Sequence, residues 1–373
     1  MKIAIQAADL DSSRVDGTRV YLLNVLKYFG KISKNDKFFI YHKKDFNPEL
    51  IPPKFSNYVV KKISSPFLWT QTKFAWDIRK DKADTLWMPM HNAPFFRSKK
   101  MKIVVTIHDL AFKRFPKTFP KKDLFKLNFL TDLAVKKADK IIAVSKSTKR
   151  DILKFYPKIF PEKIKVIYHG FDAELFQKEI SEDEFNKVLS KFKIQNSKFI
   201  LYVGAIQPRK NLKTLIKAFE FLKQDSKNSD LKLVIAGGKA WSWEETIRTV
   251  KNSSEQESII MTGKVSFEEL AVLYKNAGIF VFPSLYEGFG IPVLEAFASG
   301  VPVIISKNSS LEEVGGGAVE YFESLNENDL AEKIKKVLGS DKLQKKMIER
   351  GEEQLKKFSW EKCARETLEF IKK

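Results

Sequence analysis

Short apolar runs and longer amphipathic stretches alternate along the whole chain of 373 residues. The apolar runs are rich in Val, Ile and Phe, as at Lys2–Gln6, Phe199–Val203 and Ile279–Phe282. Runs of this length and composition indicate buried strands, and the stretches between them have helical spacing. Such alternation is typical of parallel sheets covered by helices. The sequence therefore predicts an α/β fold built from doubly wound, Rossmann-like sheets.

One polar stretch, residues 177–197, interrupts this alternation, and we interpret it as a linker. Residues 1–176 then form a first domain and residues 198–358 a second. The simplest architecture is two doubly wound domains that face each other across a cleft. Residues 359–373 form a final amphipathic helix.

Composition narrows the class of protein. The single cysteine, Cys363, excludes a disulfide framework and a cysteine-based zinc site, which favours a reducing compartment. No apolar run approaches the roughly 18 residues of a membrane span, and the first residues lack a signal-peptide pattern. We therefore expect a cytoplasmic protein.

Charge is divided unevenly along the chain. Residues 1–170 hold 36 Lys and Arg against 15 Asp and Glu, a net charge of +21, whereas residues 171–373 hold 31 of each. A field of one sign attracts anionic membranes or acidic partners. We interpret the excess as a surface of the first domain for such a partner, with a general lysine bias as the alternative. The segment KKDLFKLNF at residues 121–129 interleaves lysines with apolar side chains that could lie among lipid headgroups, although a core-facing amphipathic helix with a solvated basic side explains it as well.

The segment FPSLYEGFGIPVLEAFASGVPV, residues 282–303, carries the strongest chemical signal. Its glycines permit a tight turn after a strand, and Pro292 suits the first turn of a helix. A helix N-terminus attracts phosphate. Glu287 lies before this anion-binding turn, and Glu295 lies about one turn into the helix. Two carboxylates around a diphosphate seat suit a ligand with hydroxyl groups on both sides, which describes a nucleotide sugar.

The same segment resembles the nucleotide-sugar signature of the retaining glycosyltransferases of family 4, which have the GT-B architecture. The resemblance also covers IIAVSKSTKRDI, KIKVIYHGFD, YVGAIQPRKNL and SSLEEVGGGA, and so extends over nearly the whole chain. It implies that Glu287 bonds the transferred sugar and Glu295 the ribose, and that the final helix crosses back onto the first domain. It places further donor contacts at Gly288, Phe289, Gly290, Ile291, Val293 and Leu294.

Two other strand ends of the second half belong to the implied donor site. In GAIQPRKNL, Gly204 shapes a turn, and the resemblance implies that Arg209 and Lys210 clamp the diphosphate. Many relatives have arginine directly after this glycine, where the chain has Ala205, so the division of work between the cations stays open. In LVIAGG, Gly237 is either a structural turn or a place where the nucleoside approaches the backbone.

The first half offers weaker candidates. Gly17 and Thr18 in DGTRVY occupy the place of a glycine-rich loop in relatives, although a plain helix start explains them as well. His108 follows a strand in VTIHDLAF, where relatives carry a histidine that reaches the sugar. His91 in MPMHNAPF is a second cleft candidate, and His169 in VIYHGFD is expected to be a loop residue.

Together these features predict a retaining glycosyltransferase that moves a hexose from a nucleotide diphosphate donor to a glycan or lipid-linked acceptor. The PRKN form of the motif favours GDP-mannose, with UDP-sugars next. We expect no cofactor and no metal, because we identify no Asp-x-Asp pair at a strand end to bind a diphosphate through a cation. A nucleotide-sugar epimerase and a non-catalytic sugar-nucleotide or membrane-binding protein remain as alternatives. Acceptor, linkage and oligomeric state stay open.

Overall fold

The computed structural model describes residues 1–65, 68–195 and 197–373. The chain divides into two units. The first comprises Met1–Gly170 and Phe358–Lys373, and the second comprises Phe171–Lys357. Each unit is built around its own parallel sheet.

The first unit contains a seven-stranded sheet in the order β3-β2-β1-β4-β5-β6-β7, and every pairing in it is parallel. Its strands are β1 (Lys2–Gln6), β2 (Lys37–His42), β3 (Tyr58–Lys62), β4 (Thr85–Met88), β5 (Lys102–Ile107), β6 (Lys140–Ala143) and β7 (Ile164–Val166). The central strands are buried on both faces, as expected for a parallel sheet covered by helices.

The helices of the first unit include one from the far end of the chain. They are α1 (Gly17–Ile32), α2 (Lys73–Lys80), α3 (Ala111–Arg114), α4 (Lys121–Lys137), α5 (Lys146–Phe155) and α15 (Trp360–Lys372). Helix α15 contacts α1, and its N-cap is Ser359, whose hydroxyl accepts a hydrogen bond from the Lys362 N–H. The final amphipathic helix thus belongs to the first unit.

The second unit repeats the same topology with six strands. The sheet order is β10-β9-β8-β11-β12-β13, again parallel throughout. Its strands are β8 (Phe199–Val203), β9 (Lys232–Ala236), β10 (Ile259–Gly263), β11 (Ile279–Phe282), β12 (Val303–Ser306) and β13 (Glu320–Phe322). Its helices are α6 (Ala173–Gln177), α7 (Glu182–Lys191), α8 (Leu212–Lys223), α9 (Glu244–Lys251), α10 (Phe267–Asn276), α11 (Ile291–Ala298), α12 (Leu311–Gly315), α13 (Glu327–Leu338) and α14 (Asp341–Leu355).

The stretch interpreted as a linker, residues 177–197, differs from that expectation. It contains α7, which is capped by Ser181, packs against α10 and pairs Lys191 with Glu269. The second unit begins earlier, at Phe171. The stretch looked like a linker because α7 is polar on its outer side and buries only Val188. Asn196 lies outside the described residues.

In both sheets the strand order reverses next to the first strand of the unit. The reversal falls between β1 and β4 in the first unit and between β8 and β11 in the second. Open α/β sheets bind ligands at the carboxyl ends of the strands beside such a reversal. The loops after β8 and β11 are therefore where a ligand of the second unit is expected. Among the described residues, no helix is both long and apolar enough to span a membrane.

Candidate donor site of the second unit

The loops after β8 and β11 are bonded to each other at the reversal of the second sheet. The Leu285 N–H donates to the Arg209 carbonyl at 2.9 Å, and Asn211 Nδ2 donates to the Pro283 carbonyl at 3.1 Å. Asn211 adopts a left-handed conformation with φ 56°, which ends the turn Pro208–Lys210 and lets α8 begin. This arrangement turns two consecutive cations toward the neighbouring loop.

Three charged side chains meet there. Glu287 Oε1 lies 2.5 Å from Lys210 Nζ, and Glu287 Oε2 lies 3.2 Å from Arg209 Nη1. Arg209 also donates to the Tyr286 carbonyl, and Lys210 Nζ lies 4.9 Å from the centre of the Phe282 ring. All three charged residues are at least nine-tenths buried. The structure thus brings together Arg209, Lys210 and Glu287, which the sequence analysis singled out in two separate motifs.

The carboxylate of Glu287 is ionised in this cluster. Burial by itself would raise its pKa, but the charges of Lys210 and Arg209 outweigh burial and hold the pKa at about 2. Buried charges are tolerated only when they are paired in this way. Two cations and one carboxylate leave the cluster with a net positive charge, which favours an anionic ligand.

The loop that carries Glu287 is fixed by two serines after β12. Ser309 Oγ accepts a hydrogen bond from the Glu287 N–H at 3.0 Å, and Ser310 Oγ lies 2.9 Å from the Glu287 carbonyl and 2.7 Å from that of Phe289. Neither serine was predicted as a site residue. Their position after the strand next to β11 is the sequence signal that could have identified them.

Helix α11 begins directly after this loop. Its N-cap is Gly290, with φ 119°, where a Cβ atom would lie 3.0 Å from Leu311 Cδ2. Because the cap residue is glycine, no side chain caps the first turn. The side chains of Val293 and Leu294 are fully buried, and the Val293 N–H donates to the Gly290 carbonyl. Donor contacts by these two residues stay predictions, since their side chains serve packing here.

Glu295 lies on α11, one turn beyond its start, as the spacing predicted. Its Oε2 accepts a hydrogen bond from the Tyr274 hydroxyl at 3.0 Å. Burial raises the pKa of Glu295 to about 7, against the opposing effect of this hydrogen bond. Glu287 and Glu295 therefore have very different proton affinities, and only Glu295 titrates near neutral pH. Tyr274 was not predicted as a site residue.

The two glycine turns at the neighbouring strand ends touch through their backbones. A Cβ atom on Gly237, at φ 151°, would lie 2.0 Å from the Gly204 carbonyl oxygen. The Gly204 N–H donates to the Ala236 carbonyl at 2.9 Å. Close approach of two backbones explains why glycine occupies position 237. A structural turn is thus enough to explain Gly237, and its contact with a nucleoside stays a prediction.

Three of the four histidines of the first unit, His91, His108 and His169, lie close together, and the last two are buried. His108 Nε2 lies 2.8 Å from the Pro89 carbonyl, and the His108 N–H donates to His91 Nε2 at 2.8 Å. His169 stacks on Tyr21 with ring centres 4.7 Å apart. Burial lowers the pKa of His108 and lowers that of His91 to about 4, so both are neutral at pH 7. His169 lies in the loop between β7 and α6, as expected, and its ring is buried among aromatic side chains.

Gly17 and Thr18 form the plain helix start that was weighed against a ligand loop. Gly17 is the first residue of α1, and Asp16 is its N-cap. Thr18 Oγ1 donates to Asp16 Oδ1 at 2.7 Å. Asp16 accounts for this local geometry, and a donor contact by Gly17 and Thr18 stays a prediction.

One Asp-x-Asp pair was overlooked in the sequence. Asp9 and Asp11 follow β1, the first strand of the chain. Asp11 Oδ2 accepts hydrogen bonds from the Lys43 and Lys44 N–H groups at 2.7 Å, and Asp9 Oδ1 lies 4.0 Å from Arg19. No group of three or more His, Cys, Asp and Glu side chains suited to a metal ion occurs within the described ranges. The pair is engaged by protein groups.

Two family models match the chain, one in each half. The model described as glycosyl transferases group 1 matches residues 184–354, and the model described as Glycosyltransferase Family 4 matches residues 16–175. The chain belongs to the glycosyltransferases that these two models describe. The group 1 model includes the Arg209, Lys210 and Glu287 cluster of this glycosyltransferase.

Named relatives and a solved structure agree with this assignment. O-antigen chain mannosyltransferase B of Escherichia coli is 29% identical over 80% of this chain and 76% of the relative. An N-acetylgalactosamine-N,N'-diacetylbacillosaminyl-diphospho-undecaprenol 4-alpha-N-acetylgalactosaminyltransferase of Campylobacter jejuni is 30% identical over 65% of this chain and 62% of the relative. Sucrose-phosphate synthase of Thermosynechococcus elongatus, 18% identical, superposes over 100% of this chain and 98% of its own with a TM-score of 0.76. The GT-B fold predicted for this glycosyltransferase is confirmed.

Proposed function

We propose that this glycosyltransferase moves a mannosyl group from GDP-mannose to a glycan or lipid-linked acceptor, with retention at the anomeric carbon and without a metal ion. The observation that carries the proposal is the buried cluster of Arg209, Lys210 and Glu287 at the strand-order reversal of the second sheet. Two buried cations beside an uncapped helix start form an anion seat built from protein groups alone.

The cluster suits a departing diphosphate. In the proposed reaction the bond between the anomeric carbon and the phosphate oxygen breaks, and negative charge develops on that oxygen. Arg209 and Lys210 stabilise this charge in a site from which water is largely excluded, where electrostatic stabilisation is most effective. Glu287 leaves the cations when the diphosphate binds, and then accepts hydrogen bonds from the transferred sugar.

Retention is proposed through a front-face route. The acceptor oxygen bonds to the anomeric carbon on the face from which the diphosphate departs, and the acceptor proton passes to the departing phosphate oxygen. The low pKa of Glu287 supports a role for its carboxylate as an ionised hydrogen-bond acceptor that orients the sugar and does not protonate it. Glu295 is assigned to the ribose hydroxyls of the donor.

The identity of the transferred sugar rests on the relatives and the motif. A relative named as an O-antigen chain mannosyltransferase matches four-fifths of this chain, and the PRKN sequence at residues 208–211 favours GDP-mannose. The name of the Campylobacter relative includes a diphospho-undecaprenol group, which supports a lipid-linked acceptor. We place the reaction in the cytoplasm, at the inner face of the cell membrane, where the basic first unit would meet anionic lipid.

The proposal is tested by proton NMR of the whole chain with GDP-mannose and excess EDTA. Slow transfer of mannose to water gives a free sugar whose anomer can be recorded before it equilibrates. We expect the α-anomer to appear first, as in the donor. Initial appearance of the β-anomer would disprove retention, and no turnover until Mg²⁺ is restored would disprove metal independence. Turnover of UDP-glucose in place of GDP-mannose would correct the donor alone.

A further inference from the structure

Exposed aromatic side chains cluster on one surface of the first unit, outside the site described above. Phe96 and Phe125 are 73% and 75% exposed, and Phe129 and Phe95 are 49% and 37% exposed. The rings of Phe95 and Phe129 lie 6.1 Å apart, which joins the loop after β4 to helix α4. We call this set, Phe95, Phe96, Phe125 and Phe129, the aromatic patch. Contiguous exposed apolar side chains of this kind mark interaction surfaces.

Other side chains of helix α4 pack against the core, so the aromatic patch is not needed there. Thr131, Ala134 and Val135 are buried, and Leu124 and Leu127 pack partly against the core of the first unit. Phe125 and Phe129 are four residues apart and therefore lie on one side of the helix. Large apolar groups that face water without a packing role call for a partner.

Lysines flank the aromatic patch. Lys99 and Lys100 follow it in the loop, and Lys121, Lys122 and Lys126 lie on α4, all of them exposed. None of these five lysines forms an ion pair or a side-chain hydrogen bond within residues 1–65, 68–195 and 197–373. Asp123 is the acidic residue that α4 places among them. The surface is therefore both apolar and strongly positive.

We propose that the aromatic patch and its five lysines dock this chain onto an anionic lipid bilayer. Aromatic rings among lysines match the boundary between acyl chains and acidic headgroups, because the rings leave water while the ammonium groups stay at the phosphates. An acidic protein would satisfy the lysines, but it would leave four phenylalanines facing polar groups. The inference deepens the proposed function, on which it rests for the lipid-linked nature of the acceptor.

Sedimentation of the full chain with lipid vesicles tests the docking surface. The vesicles are phosphatidylcholine alone or phosphatidylcholine with phosphatidylglycerol. We expect sedimentation with the anionic vesicles only, and weaker sedimentation at high salt. A variant with Lys121→Gln, Lys122→Gln and Lys126→Gln should partition about a hundredfold less, since each basic residue near the surface contributes about fivefold. A variant with Phe96→Ser and Phe125→Ser should lose binding even at low salt.

The matched control changes three exposed lysines of α14 in the second unit, Lys342→Gln, Lys345→Gln and Lys346→Gln. It removes the same charge and should bind vesicles as the parent chain does. Equal losses in the α4 and α14 variants would reduce the effect to net charge and overturn the proposal. Self-association that depends on the phenylalanines, without vesicle binding, would instead assign the surface to a second copy of the chain and overturn it too.

Donor binding separates this proposal from the proposed function. Calorimetric titration with GDP-mannose should give the same affinity for the parent chain and for both lysine variants, because none of these residues belongs to the donor site. Vesicle binding without donor binding would leave the docking surface intact and refute the proposed function. Donor binding without vesicle binding would refute the docking surface alone.

Discussion

In the proposed reaction, Glu287 is the residue on which the chemistry of the second unit depends. Its carboxylate pairs with both cations that are assigned to the diphosphate. The proposal therefore implies that diphosphate and carboxylate compete for Arg209 and Lys210, and that re-formation of the ion pairs helps to expel the nucleotide product. The sequence predicted all three residues. It could not predict their pairing, because the pairing depends on how the loops after β8 and β11 meet.

Substitution Glu287→Gln should separate binding from turnover. Without the competing carboxylate, affinity for free GDP should rise by about tenfold, the equivalent of roughly one charged hydrogen bond. Transfer should fall by about a hundredfold or more, because the sugar is no longer held in position. Calorimetry with GDP and a turnover assay with GDP-mannose measure the two effects.

The thermal stability of the same variant provides the control. Loss of Glu287 leaves two buried cations without their partner, so the melting temperature without ligand should fall. Saturating GDP should recover most of the difference, since the diphosphate supplies the missing charge. If Glu287→Gln weakened GDP binding, competition between the carboxylate and the diphosphate would be refuted.

Glu295 should make donor affinity depend on pH. Burial raises its pKa to about 7, so the carboxylate is protonated below that pH and ionised above it. An ionised carboxylate accepts stronger hydrogen bonds from ribose hydroxyls than a protonated one. Affinity for GDP-mannose should therefore increase as the pH rises through about 7. GDP-mannose is the ligand of choice, since a terminal phosphate as in free GDP itself titrates near pH 6.

The variant Glu295→Gln isolates this effect. Its affinity for GDP-mannose should be about tenfold lower than that of the parent chain at pH 8, and it should not change between pH 6 and pH 8. A pH dependence that survives the substitution would show that a different group is responsible.

At the scale of elements, strands with a strong apolar signal were predicted accurately. The ranges predicted for β1, β8 and β11 are those observed. Strand β13 was missed because its sequence, Glu-Tyr-Phe, is short and lies at a sheet edge, where burial is partial. Helix α7 was missed because its outer surface is polar. Whether such a segment forms a strand or a helix depends on its tertiary packing, which the local sequence pattern does not show.

Helix α15 is held in place by a close contact that only glycine allows. A Cβ atom on Gly170 would lie 2.1 Å from the backbone nitrogen of Trp360, at the start of the helix. Substitution Gly170→Ala should push the start of α15 away and accelerate amide hydrogen exchange along it. Gly317→Ala is the matched control, because a Cβ atom there meets nothing within 4 Å. Unchanged exchange in Gly170→Ala would mean that this contact does not determine how α15 docks.

At the scale of the whole molecule, the net charge differs between the two units. Residues 1–170, the main part of the first unit, carry a net charge of +21, whereas residues 171–373, which include the whole second unit and the last helix of the first, are neutral overall. The proposed donor cluster lies in the second unit, and the aromatic patch and its lysines lie in the basic first unit. This division was visible in the sequence as a difference in composition. The aromatic patch was not visible in the sequence, because the exposure of Phe96 and Phe125 depends on how the loop after β4 and helix α4 pack against the core.

The central claim is that Arg209 and Lys210 form a donor site that needs no metal, and calorimetric titration with GDP-mannose in excess EDTA tests it most directly. The parent chain should bind, and so should a control with Lys213→Gln and Lys217→Gln, two exposed lysines of α8. The variant with Arg209→Gln and Lys210→Gln, shown by circular dichroism to be folded, should lose binding by about a hundredfold or more. Unchanged affinity in that variant, or binding by the parent chain only after Mg²⁺ is restored, would contradict the account.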